Sequence, residues 1–361
     1  MTAIIKYNIK RMISNPLFWV LTILAGVAIF VSMWKYCSSF GYLKEDVSII
    51  DSPHLENRGE VTDGYIPRSD KEINEQLMDQ YESLADIMVN YLGYPEKETY
   101  ETMEYLKNSQ LSLVKQNKYL DKKYHTKEIS FYYLSRMKKS TVQETNQYMK
   151  SMLHKHSYTY YVSFKYAGQA ATYICLLCII VFIFSFYSET KKDVYELLHT
   201  KPFAKGTYVM GKIISNLLVG LIPLGIITLA YDVVLVLHAN REHLPFHIWD
   251  IWLAVFLLVV PVIFFFSALY MLISLIFMNS IPAVAISIAL FYSSAMGFPD
   301  DNVTRFSYLL HPFGLVAYFP YSIFFGQYSY KLVLNFFGVF FLGVVLCVFS
   351  EILWQKRRAV K

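Results

Sequence analysis

Apolar residues in this chain fall into six long runs, at residues 16–36, 166–188, 213–237, 251–277, 281–298 and 332–354, with polar residues gathered between them. At about 1.5 Å of rise per residue, roughly 20 apolar residues cross a hydrocarbon core of about 30 Å, and the six runs meet or approach that length. Asp232 lies near one end of the third run, and Glu351 sits in the last turn of the sixth, within reach of the membrane interface. The pattern predicts an all-α polytopic membrane protein. Only Met278, Asn279 and Ser280 separate the fourth and fifth runs, so those two form a tight hairpin.

The stretch 306–330 has no formal charge, but Pro312, Gly314, Pro320 and Gly326 interrupt it. The distribution of basic residues decides its place. Lys6, Lys10 and Arg11 precede the first run, Lys191, Lys192, Lys201, Lys205 and Lys212 lie between the second and third, and Lys356, Arg357, Arg358 and Lys361 close the chain. All three clusters reach the cytoplasmic side only if the number of spans is even. The expectation is six spans with both termini cytoplasmic, residues 299–331 forming an outer re-entrant or interfacial segment and 355–361 a basic cytoplasmic tail. The first run is too long for the apolar part of a signal peptide, and no small-residue cleavage pattern precedes Trp34 and Lys35.

Residues 1–15 read as an amphipathic interfacial elbow helix, with Ile5, Ile9, Met12 and Ile13 on one face and Lys6 and Lys10 opposite. Residues 37–165 hold basic and acidic side chains in nearly equal numbers, the surface of a water-facing domain, and the topology makes that domain extracytoplasmic. Leu77, Tyr81, Leu84, Met88 and Tyr91 recur at helical spacing as one buried stripe. Thr141 and Glu144 form a capping box that opens a further helix. The domain is expected to be mainly helical, with a loop over its first residues.

Composition confirms the class: 55% of the 361 residues are apolar and 17% charged, too greasy a balance for a soluble globule. Of the four cysteines, Cys175, Cys178 and Cys347 lie in apolar runs. The Cys175/Cys178 pair has no nearby His or acid, so it reads as small packing residues rather than a metal or redox pair. His54, His125, His154 and His156 show no metal-ligand spacing and read as surface residues. No G-x-S-x-G elbow occurs, and the spans lack the rows of acids or histidines of a proton relay. No catalytic, cofactor or metal site is expected. Gln169, Asn216 and Asn335 are the span residues expected to face a path or a partner helix, while Pro223, Pro261 and Pro282 predict kinks or hinges.

Residues 205–213, KGTYVMGKI, fit all but the last position of G-x-x-x-x-G-K-[ST]. A phosphate loop needs a preceding strand and a hydroxyl for magnesium, and here Ile213 stands where the hydroxyl belongs. Lys201, Lys205 and Lys212 read instead as inner-face anchors whose ammonium groups snorkel to lipid phosphates.

Residues 189–212 form the one sizeable inner loop. Val194, Leu197 and Leu198 make an apolar edge flanked by Glu189, Lys192, Asp193 and Glu196, a short amphipathic helix ended by Thr200-Lys201-Pro202. Such a helix suits either the lipid surface or the groove of a partner protein.

The order Glu189, then Glu196-Leu197-Leu198, then Thr200, Lys201, Pro202 and Lys205, then Tyr208, Gly211 and Lys212 resembles the coupling-helix loop of permease subunits of the type-2 ABC exporters. The six-span topology, the elbow helix, the outer domain and the segment before the last span also fit subgroups of that family. The resemblance implies a permease that exports a hydrophobic or peptide-like molecule across the cytoplasmic membrane. It implies a second permease subunit, identical or related, and two copies of a separate ABC ATP-binding subunit. Each coupling helix would dock through Glu189, Lys192, Asp193, Val194, Glu196, Leu197 and Leu198 into one ATP-binding subunit, which holds the ATP and Mg. Membrane lipids are the remaining partner, and nucleic acid is not one. The outer domain matches nothing in the resemblance. Two readings from other classes compete: a sensor or scaffold whose outer domain binds a ligand, and a membrane enzyme, the latter weakened by the missing catalytic constellation.

Overall fold

The computed structural model describes residues 1–44, 48–49, 60–109, 111, 113–125, 137–187, 206–295, 314–317, 319 and 322–359. The loop residues Glu189, Lys192, Asp193, Val194, Glu196, Leu197, Leu198, Lys201 and Lys205, most of 299–331, and His54 lie outside them.

Among the described residues, five helices are long and apolar enough to cross a membrane: Pro16–Ser38, Tyr158–Ser185, Thr207–Arg241, Trp249–Phe277 and Tyr330–Lys356. The N-terminal helix α1 (Thr2–Ile13) leads into α2 (Pro16–Ser38), whose first turn is capped by Asn15 Oδ1 accepting from the Leu17 N–H at 3.0 Å. Beyond the polar domain come α7 (Tyr158–Tyr187), α8 (Thr207–Arg241), α9 (Trp249–Leu258), α10 (Val260–Phe277), α11 (Ile281–Ala295) and α12 (Tyr330–Ala359). The expected fifth span appears as α11, described only as far as Ala295. Its 15 described residues account for roughly 22 Å of rise.

The helices close on one another through small residues and short polar links. A Cβ on Gly220 of α8 would lie 2.9 Å from Cys178 Sγ and 2.7 Å from Ile263 Cγ2, so Cys178 serves close packing between α7 and α8. Cys37, Cys175, Cys178 and Cys347 are all free and buried. Tyr166 of α7 stacks on Tyr231 of α8 with ring centroids 4.7 Å apart and donates to Thr228 Oγ1 at 3.0 Å. Ser267 Oγ of α10 donates to the Ile213 carbonyl at 2.7 Å. Pro261 sits in the first turn of α10, where its missing N–H is tolerated, and the fourth span is accordingly broken at Val259. Met278 takes φ +52 in the hairpin before α11, and Asn279 Oδ1 accepts from the Ile281 N–H at 3.0 Å.

The polar domain contains α3 (Asp70–Asn90), α4 (Glu96–Asn108), α5 (Leu113–Tyr124), α6 (Val142–Lys155) and a two-stranded ribbon, β1 (Tyr65–Pro67) against β2 (Met137–Lys139), with Tyr65 opposite Lys139. Tyr81, Leu84, Ala85, Met88, Met103, Leu106 and Leu120 form a core separate from that of the spans. Tyr91, expected in this stripe, is 84% exposed, because α3 stops at Asn90 and the chain reverses at Gly93. Tyr94 packs in its place, edge-on to Tyr124 at 4.8 Å. The Thr141/Glu144 capping box is present, and a second one pairs Ser69 with Glu72.

The helix that carries the second apolar run begins at Tyr158, eight residues before that run. Ser157 Oγ caps it by accepting from the Tyr160 N–H at 3.1 Å. Where this helix meets the end of α2, the carboxylate of Glu60 is buried. Its Oε1 accepts from Lys35 Nζ at 3.2 Å, Tyr36 Oη at 2.8 Å and Lys165 Nζ at 3.1 Å, and its Oε2 accepts from the Ile323 N–H at 3.2 Å. One side chain thus joins the end of α2, the start of α7 and the segment before α12. Burial pushes the Glu60 carboxyl up, but the Lys165 and Lys35 charges and the Tyr36 hydroxyl outweigh it and hold the group below its ordinary value.

Candidate functional site

The loop that carries the sequence-derived docking residues springs from α7 and returns through α8, and both of its roots are described. At the first root, the carbonyls of Phe184 and Ser185 lie close to Tyr187, the last described residue of α7. Arg11 Nη2 donates to both, each at 2.8 Å, and Lys212 Nζ donates to the Ser185 carbonyl at 2.9 Å. Cations at this end also match the helix dipole. Lys212 Nζ donates in addition to Asn8 Oδ1 at 2.9 Å, so α1, α7 and α8 meet at one ammonium group.

Lys212 is 1% exposed. The expectation that it snorkels to lipid phosphate is therefore corrected: its stem leaves the face that α8 turns towards α1 and α7, and its charge meets protein oxygens before it can reach the interface. Gly211 allows the approach, since a Cβ there would lie 3.2 Å from Ile4 Cγ2 of α1.

At the second root, Gly206 holds φ +75, and a Cβ on it would lie 2.5 Å from Glu351 Oε1 of α12. Gly206 is thus fixed by its left-handed backbone and by a carboxylate packed against its Cα. Glu351 Oε1 also accepts from Gln355 Nε2 at 3.0 Å. In the first turn of α8, Tyr208 stacks on Trp354 of α12 at 4.5 Å. The loop is rooted on the N-terminal helix at one end and on the last helix at the other.

Residues 16–350 match the sequence model of a family described as ABC-2 family transporter protein. The chain belongs to that family. No curated protein and no solved structure matches it. As an ABC-2 transporter protein it is a multi-pass membrane component of a transport system, and membership implies association with an ATP-binding subunit. The near miss to a phosphate loop has a plain structural content in this ABC-2 permease. Gly206 is the turn before α8 and Gly211 the contact with α1, while Ile213 is fully buried.

The remaining candidates are not gathered at this site. Gln169 is half-buried on α7, and Asn335 Nδ2 of α12 donates to the Gly314 carbonyl at 2.8 Å. Asn216 lies one turn beyond Lys212 on α8, fully buried, with neither amide atom partnered among the described residues. His125, His154 and His156 are exposed.

Sequence patterning missed Asn8 and Arg11. Asn8 repeats with Ile4 and Met12 at every fourth position, so it occupies the middle of the apolar face of α1. A polar residue at the centre of such a face was the available signal, and it marks a buried partner rather than a lipid contact.

Proposed function

We propose that this chain is the permease subunit of an ABC exporter, with six spans, both termini cytoplasmic, and residues 37–165 mainly on the outer side. Its loop docks by Glu189, Lys192, Asp193, Val194, Glu196, Leu197 and Leu198 into a separate ATP-binding subunit that holds ATP and Mg. The single observation that carries this reading is the double rooting of that loop, by Arg11 and Lys212 at the end of α7 and by Glu351 and Trp354 at the start of α8. A loop pushed by a closing partner would move α1, α7, α8 and α12 as a set, because none of these contacts is a flexible tether.

The direction of the helices supports the span count. α10 leads into the hairpin before α11, whereas Ile323, ahead of α12, lies against Glu60 at the end of α2, an arrangement that favours a further crossing between them. The exposed row Val20, Ile23, Leu24, Val27 and Val31 on α2 leaves a face for lipid or for the second permease subunit. The cargo is hydrophobic or peptide-like, moved outward by alternating access.

Co-expression with the ATP-binding subunit, followed by purification through a tag on this chain, tests the assembly. The expected result is recovery of both proteins, and loss of the ATP-binding subunit when Leu197→Asp and Leu198→Asp are combined. Recovery undiminished by the double change would place docking elsewhere.

A further inference from the structure

A groove of about 250 Å³, open to its surroundings, lies between the turn from α1 to α2 and the end of α7. Phe18 and Val181 form its buried floor, Leu17 and Phe184 its half-exposed walls, and Arg11 stands at its rim. The two ends of the groove differ in chemistry. Apart from Asn15, whose Oδ1 is taken by the Leu17 N–H, the floor and walls are hydrocarbon, while Arg11 is the charged lining residue, with exposed Lys10 next to it in sequence; neither α1, α2 nor α7 contains an Asp or Glu.

Markers of the membrane interface surround it. Trp19 is 40% exposed and donates its indole N–H to the Ile13 carbonyl at 2.9 Å. The Arg11 guanidinium lies 5.9 Å from the centre of the exposed Tyr7 ring. Trp and Tyr settle at headgroup depth, with apolar surface on one side and water on the other. Arg11 is held in position by the Phe184 and Ser185 carbonyls, so its orientation does not depend on a ligand.

We propose that this groove binds one anionic phospholipid, its acyl chain between Leu17, Phe18, Val181 and Phe184 and its phosphate at Arg11 and Lys10. Charge complementarity selects the occupant. A zwitterionic lipid would bring its own cation to the same rim, and a soluble anion would leave the apolar walls uncovered. The bound lipid would sit against the same Arg11 that caps α7 at the first root of the loop, so headgroup type would bear on how firmly that root is held.

The test is native mass spectrometry of the full chain equilibrated in micelles holding equal amounts of phosphatidylglycerol and phosphatidylcholine. The expected spectrum shows one phosphatidylglycerol retained per chain, several-fold above phosphatidylcholine. Arg11→Gln should abolish the preference. Because Arg11 also supports α7, Leu17→Trp is the cleaner probe: it fills the groove, leaves every hydrogen bond of the root in place, and should lower retention of the lipid at least several-fold with unchanged melting. Equal retention of the two lipids by the unaltered chain would overturn the proposal. So would undiminished phosphatidylglycerol on Leu17→Trp, or displacement of the lipid by excess inorganic phosphate, which would mark a headgroup site without the groove.

Discussion

Asn8 Oδ1 accepts a hydrogen bond from Lys212 Nζ at 2.9 Å, joining residues far apart in sequence inside a buried contact between α1 and α8. An ammonium group out of water is stable only while oxygen surrounds it, so the two substitutions at this pair should differ in effect. Asn8→Leu leaves the charge in place with one acceptor fewer and is expected to destabilise by about 3 kcal/mol. Lys212→Met removes the charge and orphans neutral acceptors, for about 1–2 kcal/mol. Thermal unfolding in detergent checks the order; a larger loss for Lys212→Met would contradict the buried-charge account.

Gly206 is held by backbone and by neighbour at once. Gly206→Ala should cost about 1–2 kcal/mol for the left-handed conformation, with further loss from the contact at Glu351. Combining it with Glu351→Ala should recover the contact part and leave the backbone part. Calorimetric melting of the single and double variants reads the difference.

Glu60 makes the far end of the bundle sensitive to acid. Its folded value lies below its ordinary one, so the stability it contributes is present above the unfolded carboxylate value of about 4.3 and is lost as pH falls through the lower, folded value. Glu72, held at about 2 by Lys138 and the Ser69 N–H, adds a loss of the same sign. Glu60→Gln should flatten the acid limb of the melting curve. It should also destabilise at neutral pH, on the order of 3 kcal/mol, because Lys165 remains buried without its anion. An acid limb unchanged by Glu60→Gln would remove the carboxylate from this role.

The separate core of the polar domain can be struck alone. Met88 is fully buried there, and Met88→Ala should cost about 2–5 kcal/mol. Hydrogen exchange should then quicken across Asp70–Asn90, Glu96–Asn108 and Leu113–Tyr124, while the spans keep their protection.

Much of this fold was legible in the sequence where one local signal sufficed. The hairpin at Met278 to Ser280, the Thr141/Glu144 cap and the apolar runs needed only composition and period. What stayed hidden needed a distant partner. Lys212 looked like an interface anchor because Asn8 and Ser185 are remote in sequence, and Glu60 lay in a stretch without period, so nothing local marked it as a hub. The strands β1 and β2 are three residues each, and Met137-Lys138-Lys139 carries no alternation to read. The helical start at Tyr158 was not legible because Tyr158 to Lys165 contains Ser, Thr, Tyr and Lys, polar by composition yet mostly buried.

The coupling claim is tested most directly by the ATP hydrolysis rate of the ATP-binding subunit in proteoliposomes, with and without this chain. The account predicts a rate raised by the chain, returned to the lone-subunit level by Leu197→Asp with Leu198→Asp, and lowered by Gly206→Ala at the loop's root. A rate indifferent to the chain, or stimulation that survives the loop substitutions, would contradict it.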